Sequence, residues 1–593
     1  MKRTAVSSKE EIRSPGSAQS AQEVKQVIYS TDIRDFGQVA KSIPCQFACP
    51  AETNIPGYIR CIHEKRYGRA YELNRGCNIL PGVLGRICSR PCESACRHGQ
   101  PDQGAPVGIC HLKRACADLK SPMHRIIEGL YAPSGKRVAI IGSGPAGLAA
   151  AHELTILGHR AVIFESMEKP GGMLMYGIPE FRLPRELLML EIENILRLGV
   201  ELRTGSPIGR DLPLESLQKD YDAVIIAAGC TRPRKLNVEG ENLENVHNGL
   251  AFMMAVNDGL KPYVGSTAMV IGAGFTAVDC ARSAIRLGAS SVMINMRKTL
   301  EYMRIDEHEK HEAGFEKIAF NSLVQPRRIL GEKGRVSGIE FIRTRLEYSD
   351  KPPFRVSVPI KNSEFTMPCD CIIAALGQSP QPKALSPGLD AMTRETAISG
   401  LNCIFAAGDF VTGSSDVISA IAGGRHCAQS VDVFLTGVQR KQRVVRLEPH
   451  TSTDRPRSFD FIPRVEMPSI GLASRIAYPT AEVETGLDEA KALEEAKRCY
   501  LCNLKYEIDP LKCIYCSACI DVAPKDCIKM IKAVAVNDNG TLGAYDETGS
   551  WDQVVSIAID NDRCIRCGQC HDVCPMDCIS VTKTELIEID IEQ

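Results

Sequence analysis

The chain has 593 residues, a formal net charge of −1 and a pI near 6.9. Its length is too great for one hydrophobic core and predicts about three or four domains. The near-neutral balance offers nothing to nucleic acid or an anionic membrane surface, and no apolar run reaches the roughly 18–20 residues of a membrane span.

Residues 1–40 carry charges and small polar side chains without an apolar segment, so a loose tail is expected there rather than a secretory signal. The 26 cysteines are unevenly spread: nine from Cys45 to Cys116, six in the long middle and eleven from Cys499 to Cys578. Dense C-x-x-C clusters without an export signal predict a cytoplasmic protein whose cysteines are metal ligands rather than disulfides. In 41–130 the spacing by four of Cys45/Cys49 and of Cys88/Cys92/Cys96 brings thiolates to one face of a helix or turn. A helical cysteine-rich iron–sulfur head is expected.

At 136–166 a β-branched run, Val138–Ile141, leads into Gly142-x-Gly144-x-x-Gly147, an Ala/Leu-rich helix and a second strand ending at Glu165. Gly142 allows the tight turn, Gly144 the approach of pyrophosphate, Gly147 close helix–strand packing, and Glu165 stands where an acid takes ribose hydroxyls. At 266–298 the design repeats as Gly272-x-Gly274-x-x-Ala277, with Arg297 and Lys298 in place of the acid. Basic residues there suit a 2′-phosphate and favour NADPH over NADH; a solvated basic turn is the alternative. The segment "CIFAAGDFVTGSSDVISAIAGGRHCA" (403–428) resembles the returning segment of an FAD domain, a resemblance that implies Gly408 and Asp409 at the flavin. The predicted fold is multidomain α/β. An FAD domain (131–234 and 381–440) carries an inserted NAD(P)H domain (235–380). A dithiol reductase is the competing reading, but in the middle only Cys369 and Cys371 are close in sequence, and on a strand they point to opposite faces.

Residues 441–498, rich in Arg, Pro and Ser, predict an extended linker and a short helix before Cys499-x-x-Cys502. A C-terminal α+β domain resembling a bacterial ferredoxin (499–593) follows from two repeats, "CIYCSACIDVAPKDCI" and "CIRCGQCHDVCPMDCI". The second has Cys564, Cys567, Cys570 and Cys574-Pro575; the first has Cys513, Cys516 and Cys519, then Ala523 before Pro524. Because the fourth cysteine of each run ligates the other cluster, Cys513, Cys516, Cys519 and Cys574 form a complete set. The set around Cys564 lacks one ligand. Cys499 or Cys502 is the favoured source and Cys527 the second; a [3Fe–4S] centre is the third resolution. A zinc ribbon fits three-cysteine runs poorly.

The cysteine head, both nucleotide motifs in the same order and "GGMLMYGIPEFRLP" (171–184), which contains Gly172, together resemble the small subunit of glutamate synthase and its relatives over about 41–440. The resemblance implies electron transfer between NAD(P)H, FAD and [4Fe–4S] clusters. Carried over by position, Cys49, Cys88 and Cys92 match ligands of the cluster nearer the flavin, with Cys110 a candidate fourth and Cys45 or Cys96 as alternatives. Relatives with two head clusters begin with a further C-x-x-C, and none precedes Cys45, so one head cluster is expected. Cys61, Cys77 and Cys116 read as core. The expected cofactors are FAD, NADPH or NADH, and about three [4Fe–4S] clusters, one in the head and two in the tail. No catalytic acid or base is expected for the hydride step, since the cofactors carry that chemistry. The expected partner is a redox protein or catalytic subunit in a hetero-oligomer. A stand-alone NAD(P)H–ferredoxin oxidoreductase and an electron-transfer scaffold with an inactive nicotinamide site are the alternatives.

Overall fold

The Val/Ile-rich run ahead of each glycine motif becomes the central strand of its own five-stranded parallel sheet. In the first sheet the order is Ile404–Ala406, Ala223–Ile226, Arg137–Ile141, Arg160–Phe164, Glu201–Arg203; in the second it is Val246–Asn248, Cys371–Ala374, Thr267–Ile271, Ser291–Asn295, Ala319–Asn321. Val138–Ile141 and Ala223–Ile226 are buried throughout, as parallel strands are when helices cover both faces. The helix Pro145–Ile156 packs against Val417–Thr436. A Cβ on Gly424 would lie 2.1 Å from the Ala146 carbonyl oxygen, so a larger residue there would separate the two helices.

The computed structural model describes residues 36–591 apart from 102, 351–353, 388, 390–402, 452–454 and 537–541. The tail expected over 1–40 therefore lies outside the described residues as far as 35, and Phe36–Lys41 is helical. The chain passes from the first sheet to the second and back through a two-stranded ribbon, Arg232–Pro233 against Gln378–Ser379. An antiparallel sheet of Val324–Glu332, Arg335–Tyr348 and Arg355–Pro368, unforeseen in the sequence, also lies within this insertion. The head is a group of helices, chiefly Ile55–His63, Tyr67–Asn78, Pro81–Ile87 and Ile109–Leu119. Asn54 caps the first by accepting from the Gly57 N–H.

Two units are distinguished. The larger comprises Ile43–Arg443, Arg457–Leu501 and Glu588–Gln593; the smaller contains Val444–Pro456 and Cys502–Ile587 together with the stretch up to Ser42. The region expected to be one linker is thus divided between them. Within the larger unit, 457–501 forms a strap. Arg475 on it is buried and ion-paired with Glu312 at 2.7 Å and Glu316 at 2.9 Å, Arg464 meets Glu93 at 2.7 Å, and Glu482 meets Arg86 at 2.6 Å. In the smaller unit Leu504–Ile508 pairs antiparallel with Ile579–Lys583, and Ile528–Val536 lies between Leu542–Glu547 and Ser556–Ile559.

Candidate functional site: two dinucleotide motifs in one cleft beside a thiol-lined head

A single cleft of about 2310 Å³ is lined by Gly142, Gly144, Glu165, Gly172 and Asp409 at one end and by Gly272, Gly274, Arg297 and Lys298 at the other. Ligand clefts commonly measure about 300–1,000 Å³, so this one has the capacity for two dinucleotides. The glycines fit that cargo. A Cβ on Gly147 would fall 1.9 Å from the Gly142 carbonyl oxygen, and one on Gly142 2.6 Å from that of Ala227, whereas Gly144 and Gly274 face open space. Gly142 has φ +103°, which side chains rarely adopt. Gly144 and Gly274 precede the helices Pro145–Ile156 and Phe275–Arg286, whose free N–H groups favour phosphate. Glu165 is buried, and its carboxylate accepts from the Ser143 N–H at 2.9 Å and hydroxyl at 2.6 Å. That clamps it against the glycine turn, and its other oxygen accepts from the Met167 N–H at 2.9 Å and the Ser166 hydroxyl at 3.2 Å. Gly172, at φ +55°, brings its Cα side to Gly144.

At the basic end Arg297 is exposed in the cleft, while Lys298 donates to the Arg355 carbonyl at 2.7 Å. Arg304 and Arg355 also line it; sequence reasoning missed both because neither lies in the glycine motif or at the end of its second strand. Ala277 is buried in the helix interior, behind the turn. At the flavin end burial raises the Asp409 carboxyl, which accepts from the Ser415 hydroxyl at 2.5 Å. Gly408, at φ +63°, lies against Ala146. Of the six middle cysteines only Cys230 lines the cleft. Burial pushes Cys369 and Cys371 up to about 12, and neither lines the cleft.

Head thiols converge on a buried lysine. Burial disfavours the Lys113 ammonium, but Cys88, Cys49, Cys92 and Cys110 around it raise its pKa above the usual value. This brings the predicted Cys49, Cys88 and Cys92 together with Cys110, whose thiol also donates to the Leu84 and Gly85 carbonyls at 3.4 Å. Nothing in the sequence marked Lys113. The group borders the cleft: Ile87, Ser89 and Ser94 line it, and the Ser89 hydroxyl hydrogen-bonds Asp416, which caps the helix Val417–Thr436. Cys61 and Cys116 are buried; Cys77 is half-buried, and its thiol is raised by burial.

In the smaller unit a small cavity is lined by Cys513, Cys516, Cys519, Cys574 and Cys578, with the last two sulfurs 3.4 Å apart. The thiol of Cys527 is raised by its hydrogen bond with Cys564, by burial, and by Cys570 and Cys567. Cys527 thus lies beside the set that Ala523 leaves one ligand short. Asp526 takes φ +48° just before it, and that left-handed turn delivers a thiol from four residues beyond Ala523. Cys499 instead closes the strap helix Glu489–Lys497 against the head. Among the described residues no three His, Cys, Asp or Glu side chains converge on one metal ion. A [4Fe–4S] cube spreads its thiolates over four corners and does not require that convergence.

Three family profiles match successive parts of the chain: pyridine nucleotide-disulphide oxidoreductase over 136–424, dihydropyrimidine dehydrogenase domain II with its 4Fe-4S cluster over 38–124, and 4Fe-4S dicluster domain over 512–584. The Escherichia coli glutamate synthase [NADPH] small chain is 34% identical over 65% of this chain and 87% of its own length. The chain belongs to the glutamate synthase small-chain family. Members of this family are iron–sulfur flavoproteins, and this one is an oxidoreductase with FAD, a nicotinamide dinucleotide and [4Fe–4S] clusters. Two further relatives of this small-chain-like protein extend beyond the shared core. The NADP(+)-dependent formate dehydrogenase subunit beta of Moorella thermoacetica is 36% identical over 66% of this chain, which spans only 60% of that relative's length. The NADPH-Fe(3+) oxidoreductase subunit beta of Geobacter sulfurreducens is 31% identical over 80% of this chain and 78% of its own. No helix among the described residues is long and apolar enough to cross a membrane.

Proposed function

We propose that the chain is the electron-transfer subunit of a larger cytoplasmic complex, exchanging electrons between NADPH and a protein partner. The carrying observation is the shared cleft. Both dinucleotide motifs open into it, and its flavin end is bordered by Ser89, the residue after Cys88. Gly142, Gly144, Gly147 and Glu165 would hold the adenosine pyrophosphate half of FAD, with Gly172, Gly408 and Asp409 nearer the ring. Gly272, Gly274 and Ala277 would form the NADPH turn, with Arg297 and Lys298 as the anchor of its 2′-phosphate. Cys49, Cys88, Cys92 and Cys110 would ligate a head cluster; Cys513, Cys516, Cys519 and Cys574 one tail cluster; Cys564, Cys567, Cys570 and Cys527 the other.

The chemistry a flavin would supply there is the splitting of a hydride pair into single electrons, which iron–sulfur clusters held by the cysteine sets would carry. The chain's own residues bind and orient. The helix N-termini take the pyrophosphates, and Lys113 offsets the negative charge gathered by four thiolates. No side chain is required to move a proton in the hydride step. Three clusters correspond to about twelve irons.

The relatives named above are two beta subunits and a small chain, which supports a partner for this chain. The test is anaerobic. NADPH should bleach the flavin of the isolated chain within the mixing time. Turnover with free ferredoxin should stay absent until a co-purifying subunit is added. Turnover with ferredoxin alone would make the protein a stand-alone oxidoreductase, and no bleaching would make it a scaffold with an inactive nicotinamide site.

A further inference from the structure

The two cysteine repeats of the smaller unit share one turn and surround it differently. In the first, the Asp509 carboxylate accepts from the Leu511 N–H at 3.0 Å and its carbonyl from the Cys513 N–H at 3.1 Å, while its own N–H donates to the Cys578 carbonyl at 2.8 Å. In the second, Asp560 makes the same three contacts, with Asp562 at 2.9 Å, Cys564 at 2.9 Å and the Cys527 carbonyl at 2.7 Å. The same turn therefore presents Leu511 beside one thiol set and Asp562 beside the other. Leu511 is 95% exposed and Ile514 56%, and Met576 is exposed as well. Ile514 and Met576 line the small cavity with Cys513, Cys516, Cys519 and Cys574, and Cys516 is itself exposed. Around Cys564, Ile565 takes the place of Ile514 and is 1% exposed, its carbonyl accepting from the buried Arg455 at 2.9 Å. Lys525 stands where the second repeat has Met576.

A single exposed leucine is ordinary on a protein surface. Here three apolar side chains gather at the mouth of one thiol set, and the equivalent positions of the other repeat are polar or covered. An apolar group of that kind marks a contact face. Its rim is acidic: Asp521, Asp572 and Asp577 are exposed around it. The cations beside them are Lys512, 3.8 Å from Asp509, and His571 when protonated, 3.7 Å from Asp572. An apolar centre within a charged rim is the anatomy of a protein contact. The sign of this rim calls for lysines or arginines on the other side.

We propose that the face formed by Leu511, Ile514 and Met576 docks the redox partner, a protein that presents a basic rim around an apolar patch beside its own one-electron centre. The inference rests on the tail being an electron-transfer domain that serves a protein partner, and it makes the Cys513 set the point where electrons cross. One electron leaves the reduced cluster and reduces the partner's oxidised centre; no bond forms or breaks and no proton moves. Electron-transfer encounters bury little surface, so a few apolar side chains within a charged ring suffice. Cytochrome c, a basic one-electron acceptor, is the probe. The full chain is reconstituted anaerobically, reduced with dithionite, freed of excess reductant and mixed with ferricytochrome c. The second-order rate should fall at least tenfold from low to high salt. Asp572→Lys with Asp577→Lys should lower the low-salt rate about tenfold and flatten that dependence. Leu511→Ser with Met576→Ser should lower the rate several-fold at every salt concentration, and Asp562→Lys, the same charge change on the other repeat, should leave it within about twofold. Iron content and EPR spectra should match the wild type throughout. Carbodiimide coupling of the wild-type chain to cytochrome c, mapped by mass spectrometry, should fall on Asp521, Asp572 and Asp577. An Asp562→Lys effect as large as that of the Asp572/Asp577 pair overturns the proposal, as do cross-links confined to other carboxylates or joining two copies of this chain through the face. Should a variant lose its clusters, the wild-type cross-link map decides. Because dithionite supplies the electrons, failure of NADPH to bleach the flavin would count against the proposed function and leave this result standing.

Discussion

Arg297 and Lys298 are neighbours in sequence and differ in what remains free to meet a phosphate. The Lys298 ammonium is committed to the Arg355 carbonyl, whereas the Arg297 side chain is exposed in the cleft. A charge-assisted hydrogen bond is worth about 1.5–3 kcal/mol. Arg297→Ala should therefore raise the KM for NADPH about ten- to a hundred-fold and leave that for NADH nearly unchanged; parallel changes in both would remove the 2′-phosphate assignment. The tail cysteines give a second contrast at this scale. Cys527 has a thiol neighbour set of Cys564, Cys567 and Cys570 and no substitute at Ala523, so Cys527→Ala should lose or convert one tail cluster. Cys574 has Cys578 with its sulfur 3.4 Å away, and Cys574→Ala should keep four irons in that site with an altered EPR line shape. Equal iron loss in the two variants would contradict this asymmetry.

Among the elements, the strap is the one whose role depends most on buried charge. Arg475 is 1% exposed, and it shares Glu312 and Glu316 with Arg282, which is also buried. Removing one partner of such a network leaves buried carboxylates uncompensated, at a cost of about 3–5 kcal/mol. Arg475→Ala should lower the melting temperature of the protein by several degrees and shed the strap to proteolysis near 470–480. An unchanged melt would mean that the ion pairs are solvated. Within the parallel sheets, by contrast, apolar burial dominates. Val138–Ile141 and Thr267–Ile271 were legible because β-branched runs bounded by glycine turns have few other solutions. The antiparallel sheet of 324–368 was not legible, since its solvent-facing strands alternate weakly and it has no motif.

For the larger unit as a whole, the strap is also tied to the nicotinamide side by His308 and Glu484, 2.5 Å apart. Burial works against the His308 cation, but the hydrogen bond and charge of Glu484 outweigh it and raise its pKa; Arg90 opposes and Glu309 assists. Burial would likewise raise Glu484, yet His308, Arg90 and His111 hold it below the carboxylate range. A raised histidine contributes fully below its unfolded value near 6.5 and is lost as pH rises through the folded one. A lowered glutamate contributes fully above its unfolded value near 4.5 and is lost as pH falls through the folded one. The melting-temperature difference between wild type and His308→Gln should thus be largest between about pH 4.5 and 6.5 and shrink as pH rises through the folded value of His308. Parallel curves would show that the pair is not what holds the strap.

Residue order alone was enough to read the two nucleotide folds, the acidic and basic ends of their second strands, and the cysteine repeats. Each of these is local: a glycine turn, a strand and a C-x-x-C are read within about thirty residues. Which distant thiols meet became visible only in the folded chain. Cys527 reaches Cys564 because a left-handed turn carries it past Ala523, and Cys110 joins Cys88 because the helix Ile109–Leu119 packs on Pro81–Ile87. Cys499 belongs to the head because a buried Glu495–Arg498 pair docks the strap there. A cysteine's spacing fixes the thiols of its own turn, whereas partners hundreds of residues away are chosen by packing and buried charge.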